Sequence, residues 1–94
     1  MRNRYLIVYD ISDDKRRNAV FKTLMGNGDH VQFSVFLCEL NDAELARVKV
    51  ELQQAINHRQ DQVIILDMGD ANQPNLPLEC LGMAYEPPVR CNVV

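Results

Sequence analysis

The chain has 94 residues, 47% of them apolar and 24% charged, with a formal net charge of -3. That length bounds it to one small domain with a modest core, and the composition is that of a folding chain rather than a disordered one. No apolar run approaches the roughly 20 residues that span a bilayer, so no membrane-spanning helix is expected, and the charge argues against a uniformly basic surface, although not against a local basic patch.

The N-terminal MRNRYLIVYD reaches an Asp before any signal-peptide core, so a cytoplasmic protein is expected. Cys38, Cys80 and Cys91 have the spacing of neither a disulfide framework nor a zinc site. Arg4 to Ile11 reads as a strand, rich in Tyr, Ile and Val. Strand alternation puts Leu6, Val8 and Asp10 on one face and Tyr5, Ile7 and Tyr9 on the other. With both faces apolar, both need cover: helices on one side, and on the other, in so short a chain, a second subunit.

Ser12 or Asp13 can cap the helix that follows, and Asp13 and Asp14 suit the positive end of its dipole. Val20, Phe21, Leu24 and Met25 mark its apolar stripe, Arg17 starts that stripe near Asp10, and Gly26-Asn27-Gly28 stops the helix. The stretch from His30 to Leu40, "HVQFSVFLCEL", is β structure too long for one straight strand, so a bent or bulged pair of short strands is expected around Gln32 to Ser34.

Asn41 and Glu44 form a capping box, and Leu45, Val48, Leu52 and Ile56 recur at helical spacing, which predicts an amphipathic helix over 42–57. Gln62 to Met68 reads as another strand, 69–77 as a turn-forming connector, and "LECLGMAY" from Leu78 as a short last strand. The order fits an α+β, ferredoxin-like βαββαβ sandwich with an extra C-terminal strand and two helices on one face of an antiparallel sheet. Residues 1–78 would be the core domain, and 79–94 a strand and tail packed on the dimer partner.

The stretch "YLIVYDISDDKRR", the Gly-rich helix end, "VQFSVFLCEL" and the helix capped at Asn41 together resemble the CRISPR-associated protein 2 family, over about the first two-thirds of the chain. The resemblance implies a homodimer packed through its sheet faces, a CRISPR-associated integrase as partner in spacer acquisition, and RNA or DNA as ligand. In many members the residue at the position of Asp10 comes from both subunits and holds a divalent ion, Mg²⁺ or Mn²⁺, for endonuclease chemistry. Other members act chiefly as a scaffold. One departure is His30, where the family commonly has a basic residue, so a phosphate contact there is conditional on protonation.

Phosphodiester hydrolysis needs an activated water and neutralisation of phosphoryl charge, which a hard cation between carboxylates supplies. Asp10 and Arg17 are the candidate catalytic residues, Asp10 as metal ligand, and Tyr9, Arg16, Arg17, His30 and Phe36 are candidates to contact nucleic acid. The alternatives are structural: Asp10 capping a turn, Arg16 and Arg17 in salt bridges to Asp10 or Asp13, and the aromatics in the core. Ser34 either donates a hydrogen bond near the metal or fills a bulge, and His58 reads as a partner of the second helix dipole. A metal-dependent nuclease, a silent dimeric DNA spacer, a toxin-like endoribonuclease and a small-ligand regulatory domain are the functions to be told apart.

Overall fold

The computed structural model describes residues 1–82. Strand β1 (Asn3–Asp10) is followed by helix α1 (Asp14–Met25), strands β2 (Asp29–Gln32) and β3 (Val35–Leu40), helix α2 (Asp42–Ala55) and strand β4 (Gln62–Asp70). The strands form one sheet in the order β2-β3-β1-β4, with every pairing antiparallel. This is the ferredoxin-like α+β arrangement expected from the element order.

Alternation along β1 sorts its side chains as the sequence requires. Tyr5, Ile7 and Tyr9 are buried against Phe36, Cys38 and Leu40 of β3, under Val20 and Leu24 of α1 and Val48 and Leu52 of α2. Leu6 and Val8 are half-buried on the opposite, open face, beside Ile64 and Leu66 of β4, which are 52% and 54% exposed.

Asp13 is the residue that caps α1, accepting from the Arg16 N–H at 2.9 Å. The expected stripe is buried at Val20 and Leu24 and packed at Phe21, whereas Met25 is half-exposed, because it lies a further 100° around the helix from Leu24. The helix end also differs from expectation. Neither Gly26 nor Gly28 has a positive φ, and Gly26 continues the right-handed turn with φ -76°. Asn27 closes the helix, its side-chain amide donating to the Thr23 carbonyl at 2.7 Å. Gly28 is required by space: a Cβ there would stand 2.4 Å from Cys38 Sγ and 2.6 Å from the Leu37 carbonyl oxygen.

The expected break within 30–40 is a hairpin. Phe33 and Ser34 form the turn, Ser34 with φ 60°, and the β2–β3 register shifts between His30 and Gln32. The capping box at α2 is present in both directions, Glu44 N–H to Asn41 Oδ1 at 2.8 Å and Asn41 N–H to Glu44 Oε1 at 2.9 Å. The helix ends at Ala55, short of 57, because Ile56 is extended and Asn57 starts a turn that accepts from the Gln60 and Asp61 N–H groups. Strand β4 runs on to Asp70, into the expected connector. Residues 78–82 carry no strand, and the rest of the expected last strand and tail lies outside the described residues.

Candidate nucleic-acid and metal site

Asp10 ends β1 on the open face, paired across the sheet with Gln62, and is exposed. Among the described residues its carboxylate has no hydrogen bond and no ion pair. A carboxylate at the end of an apolar stripe, with no cation beside it, is an unspent anionic ligand.

Arg16 and Arg17 are adjacent in sequence but have different fates, because α1 turns them through 100° relative to one another. Arg16 reaches Asp61 after α2, Nε to Oδ2 at 2.7 Å and Nη2 to Oδ1 at 3.2 Å, a fork-on-fork pair that also takes Gln60 at 3.2 Å. The Asp61 side chain has no accessible surface, and the Arg16 hydrogen bonds, followed by the Asn57 N–H, hold its carboxyl below the usual carboxylate range. Arg16 is therefore bound into the fold as it stands.

Arg17 folds back on the loop after Asp10. Its Nη1 donates to the carbonyls of Ile11 at 3.1 Å and Ser12 at 3.2 Å, and its Nη2 pairs with Asp14. The Arg17 side chain is 43% exposed and that of Asp14 is 89% exposed, so the pair is wet and worth little. Arg17 is the candidate cation available to an external phosphate at this end of the sheet. Neither arginine pairs with Asp10.

Beside Arg17 the helix-facing ends of β1, β2 and β3 bring aromatic rings together. His30 stacks on Phe36 with centroids 4.8 Å apart, Phe21 meets both edge-on, and Tyr9 lies 6.3 Å from Phe36. Phe36 has no exposed surface and Tyr9 is 5% exposed, so Phe36 presents no ring face to a base and instead fixes His30, which is itself exposed. Burial pushes the Tyr9 phenol up, against its hydrogen bond with Ser34 and the Arg17 charge. Ser34 meets Tyr9 at the turn rather than Asp10, its carbonyl accepting from the Tyr9 N–H at 3.0 Å. His58 Nε2 sits 3.1 Å from the Gln53 carbonyl, at the C-terminal end of α2. The aromatic side chain that is open to solvent here is Phe33, which sequence reasoning passed over, although it stands within the Gln32 to Ser34 break.

Among the described residues no group of three His, Cys, Asp or Glu side chains could hold a metal ion. Asp10 is a carboxylate of the kind hard cations take, and such a cation needs more oxygen ligands than one carboxylate supplies. Nor is any described helix long and apolar enough to cross a membrane.

A ferredoxin-like sheet with helices on one face, an apolar open face on the other and, among the described residues, an unpaired carboxylate at its margin defines a class of small α+β proteins. The family model for CRISPR associated protein Cas2 matches residues 2–75. The chain is 42% identical over 82 residues to the CRISPR-associated endoribonuclease Cas2 1 of Rhodospirillum rubrum, covering 87% of this chain and 80% of that one. It is 32% identical over 94 residues to the CRISPR-associated endoribonuclease Cas2 of Geobacter sulfurreducens, covering 100% and 99%. Among solved structures, Streptococcus pyogenes Cas2 superposes with a TM-score of 0.73 at 31% identity, over 84% of this chain and 99% of that one. A hypothetical protein, TT1823 from Thermus thermophilus, gives 0.78 at 31% identity, over 94% and 100%. The chain belongs to the CRISPR associated protein Cas2 family.

Proposed function

We propose that this protein is a homodimeric, divalent-metal-dependent endoribonuclease of CRISPR adaptation, with Asp10 from each subunit flanking the two-fold axis. The observation that carries the reading is the unpartnered Asp10 carboxylate on an apolar sheet face that one chain leaves uncovered. Two further features support the dimer. Ile64 and Leu66 lie half in water on that face, and the Arg4 guanidinium, on the same side by strand alternation, buries Nε and Nη1 without a hydrogen bond, with only a Glu39 carboxylate oxygen 3.9 Å from Nε. Unmet buried donors are costly, and an acceptor from a second copy would offset that cost.

Mg²⁺ or Mn²⁺ between the two carboxylates would supply charge neutralisation and an acidified water for phosphodiester hydrolysis. In this reading Asp10 holds and orients, Arg17 exchanges Asp14 for a substrate phosphate, and the rigid Tyr9–Ser34 contact fixes the margin of the site. The dimer engages the adaptation integrase. RNA is the substrate because the similar proteins are named endoribonucleases. The test is Asp10→Asn, which keeps size and removes charge: RNA cleavage in Mg²⁺ falls by orders of magnitude while circular dichroism and dimer mass stay unchanged. Cleavage at the wild-type rate in a clean preparation sinks the nuclease. Normal spacer acquisition by a wild type with no metal-stimulated cleavage would instead make the protein a scaffold.

A further inference from the structure

We infer that Phe33, at the tip of the β2–β3 hairpin, is the stacking platform for an unpaired base of single-stranded nucleic acid, with Arg17 taking an adjoining phosphate. This rests on the function proposed above and specifies the form of its substrate. Phe33 is 95% exposed, so the fold gains nothing from its ring. Yet the turn that carries the ring is tied to β1. Ser34 beside it is left-handed at φ 60°, and its carbonyl accepts from the Tyr9 N–H at 3.0 Å. An aromatic with two side-chain torsions, carried on a tied-down turn, loses little entropy when a base stacks on it.

The ring borders a pocket of ≈ 310 Å³, whose wall includes Arg17, Asn18, Phe21, His30 and Ser34. That is the small end of the range for an organic ligand, with apolar walls and a few polar groups for a base edge. The Arg17 head is steadied by two main-chain carbonyls, and its remaining partner, Asp14, is exposed enough for a phosphate to replace it. Because α1 residues line the pocket, it opens on the helix side of the sheet and stays accessible when the open face is covered.

Charge favours the single strand over a duplex. The chain has 10 Lys and Arg against 13 Asp and Glu, and Arg2 and Arg16 are already paired with Glu44 and Asp61. Binding that relied on phosphates alone needs many cationic contacts. Stacking adds affinity without charge and requires a base free of its helix.

The experiment measures binding in EDTA, by fluorescence anisotropy, of a short single-stranded RNA and of a duplex of equal length, to wild type, Phe33→Ala and Phe33→Trp. Single-strand affinity falls about 5- to 150-fold in Phe33→Ala and is kept in Phe33→Trp, while duplex binding is unchanged. A 2-aminopurine in the single strand is quenched by wild type and not by Phe33→Ala. Equal single-strand affinity in wild type and Phe33→Ala overturns the inference and leaves the nuclease standing, as does an equal loss for strand and duplex. A variant with altered sedimentation and unaltered RNA affinity would make the tip a protein contact, also overturning it. Wild type that binds neither RNA in EDTA overturns this inference and leaves the proposed function to the Asp10→Asn cleavage assay in Mg²⁺.

Discussion

Replacing Gly28 by Ala tests how tightly the site's hairpin is seated. The added Cβ would stand 2.4 Å from Cys38 Sγ, 2.6 Å from the Leu37 carbonyl oxygen and 3.1 Å from Cys38 Cα. Two of those atoms are main chain of β3, paired on its other side with β1, so relief has to come from β2 moving away. Overpacking of this kind costs about 1–3 kcal/mol, and the stiffer unfolded chain that Ala brings returns to the folded state only about 0.4–1 kcal/mol where the backbone is compatible. A net loss of about 1.3 kcal/mol lowers Tm by about 5–10 °C in a domain of this size. Thermal denaturation followed by circular dichroism reads the shift. Because β2 carries His30 and leads into Phe33, RNA binding should weaken in Gly28→Ala even at temperatures where the protein is folded. Adding Cys38→Ala removes the sulfur but leaves the carbonyl, so the double variant recovers only part of the loss. A Gly28→Ala protein as stable as wild type would refute the claim that close approach, rather than helix termination, is why glycine stands there.

Sedimentation at micromolar concentration should show two chains, and Ile64→Asp, on the open face, should give a folded monomer without cleavage; a dimeric Ile64→Asp would place the interface elsewhere. Arg16→Ala should lower Tm by stranding the buried Asp61 carboxylate, whereas Arg17→Ala should leave Tm near wild type and weaken RNA binding. Asp61 and Glu44 are both held below the ordinary carboxylate range by their arginine partners, Arg16 and Arg2. Their depressed folded-state values mean that this stability is fully present above about pH 4 and is lost as the pH falls through the folded values. Urea midpoints should therefore drop on acidification, with a shallower acid limb in Asp61→Asn.

The order of elements, the cap at Asp13 or its neighbour, the capping box at Asn41 and the two faces of β1 were legible in the sequence. Each rests on residues within about four positions of one another, or on a strict two-residue period, and local sterics and hydrogen bonding act at that range. Asp10 was legible for the same reason, as a charge continuing an apolar stripe. The tertiary structure alone decided which arginine remains available, since Arg16 is claimed by Asp61, 45 positions away. It likewise buried Phe36 beneath His30 and left Phe33 outside, although the two aromatics stand in one short β segment. A one-residue difference in where the hairpin turns exchanges inward and outward side chains, and no local signal fixes that residue; the pairing of β2 with β3, and the seat Gly28 gives it, does.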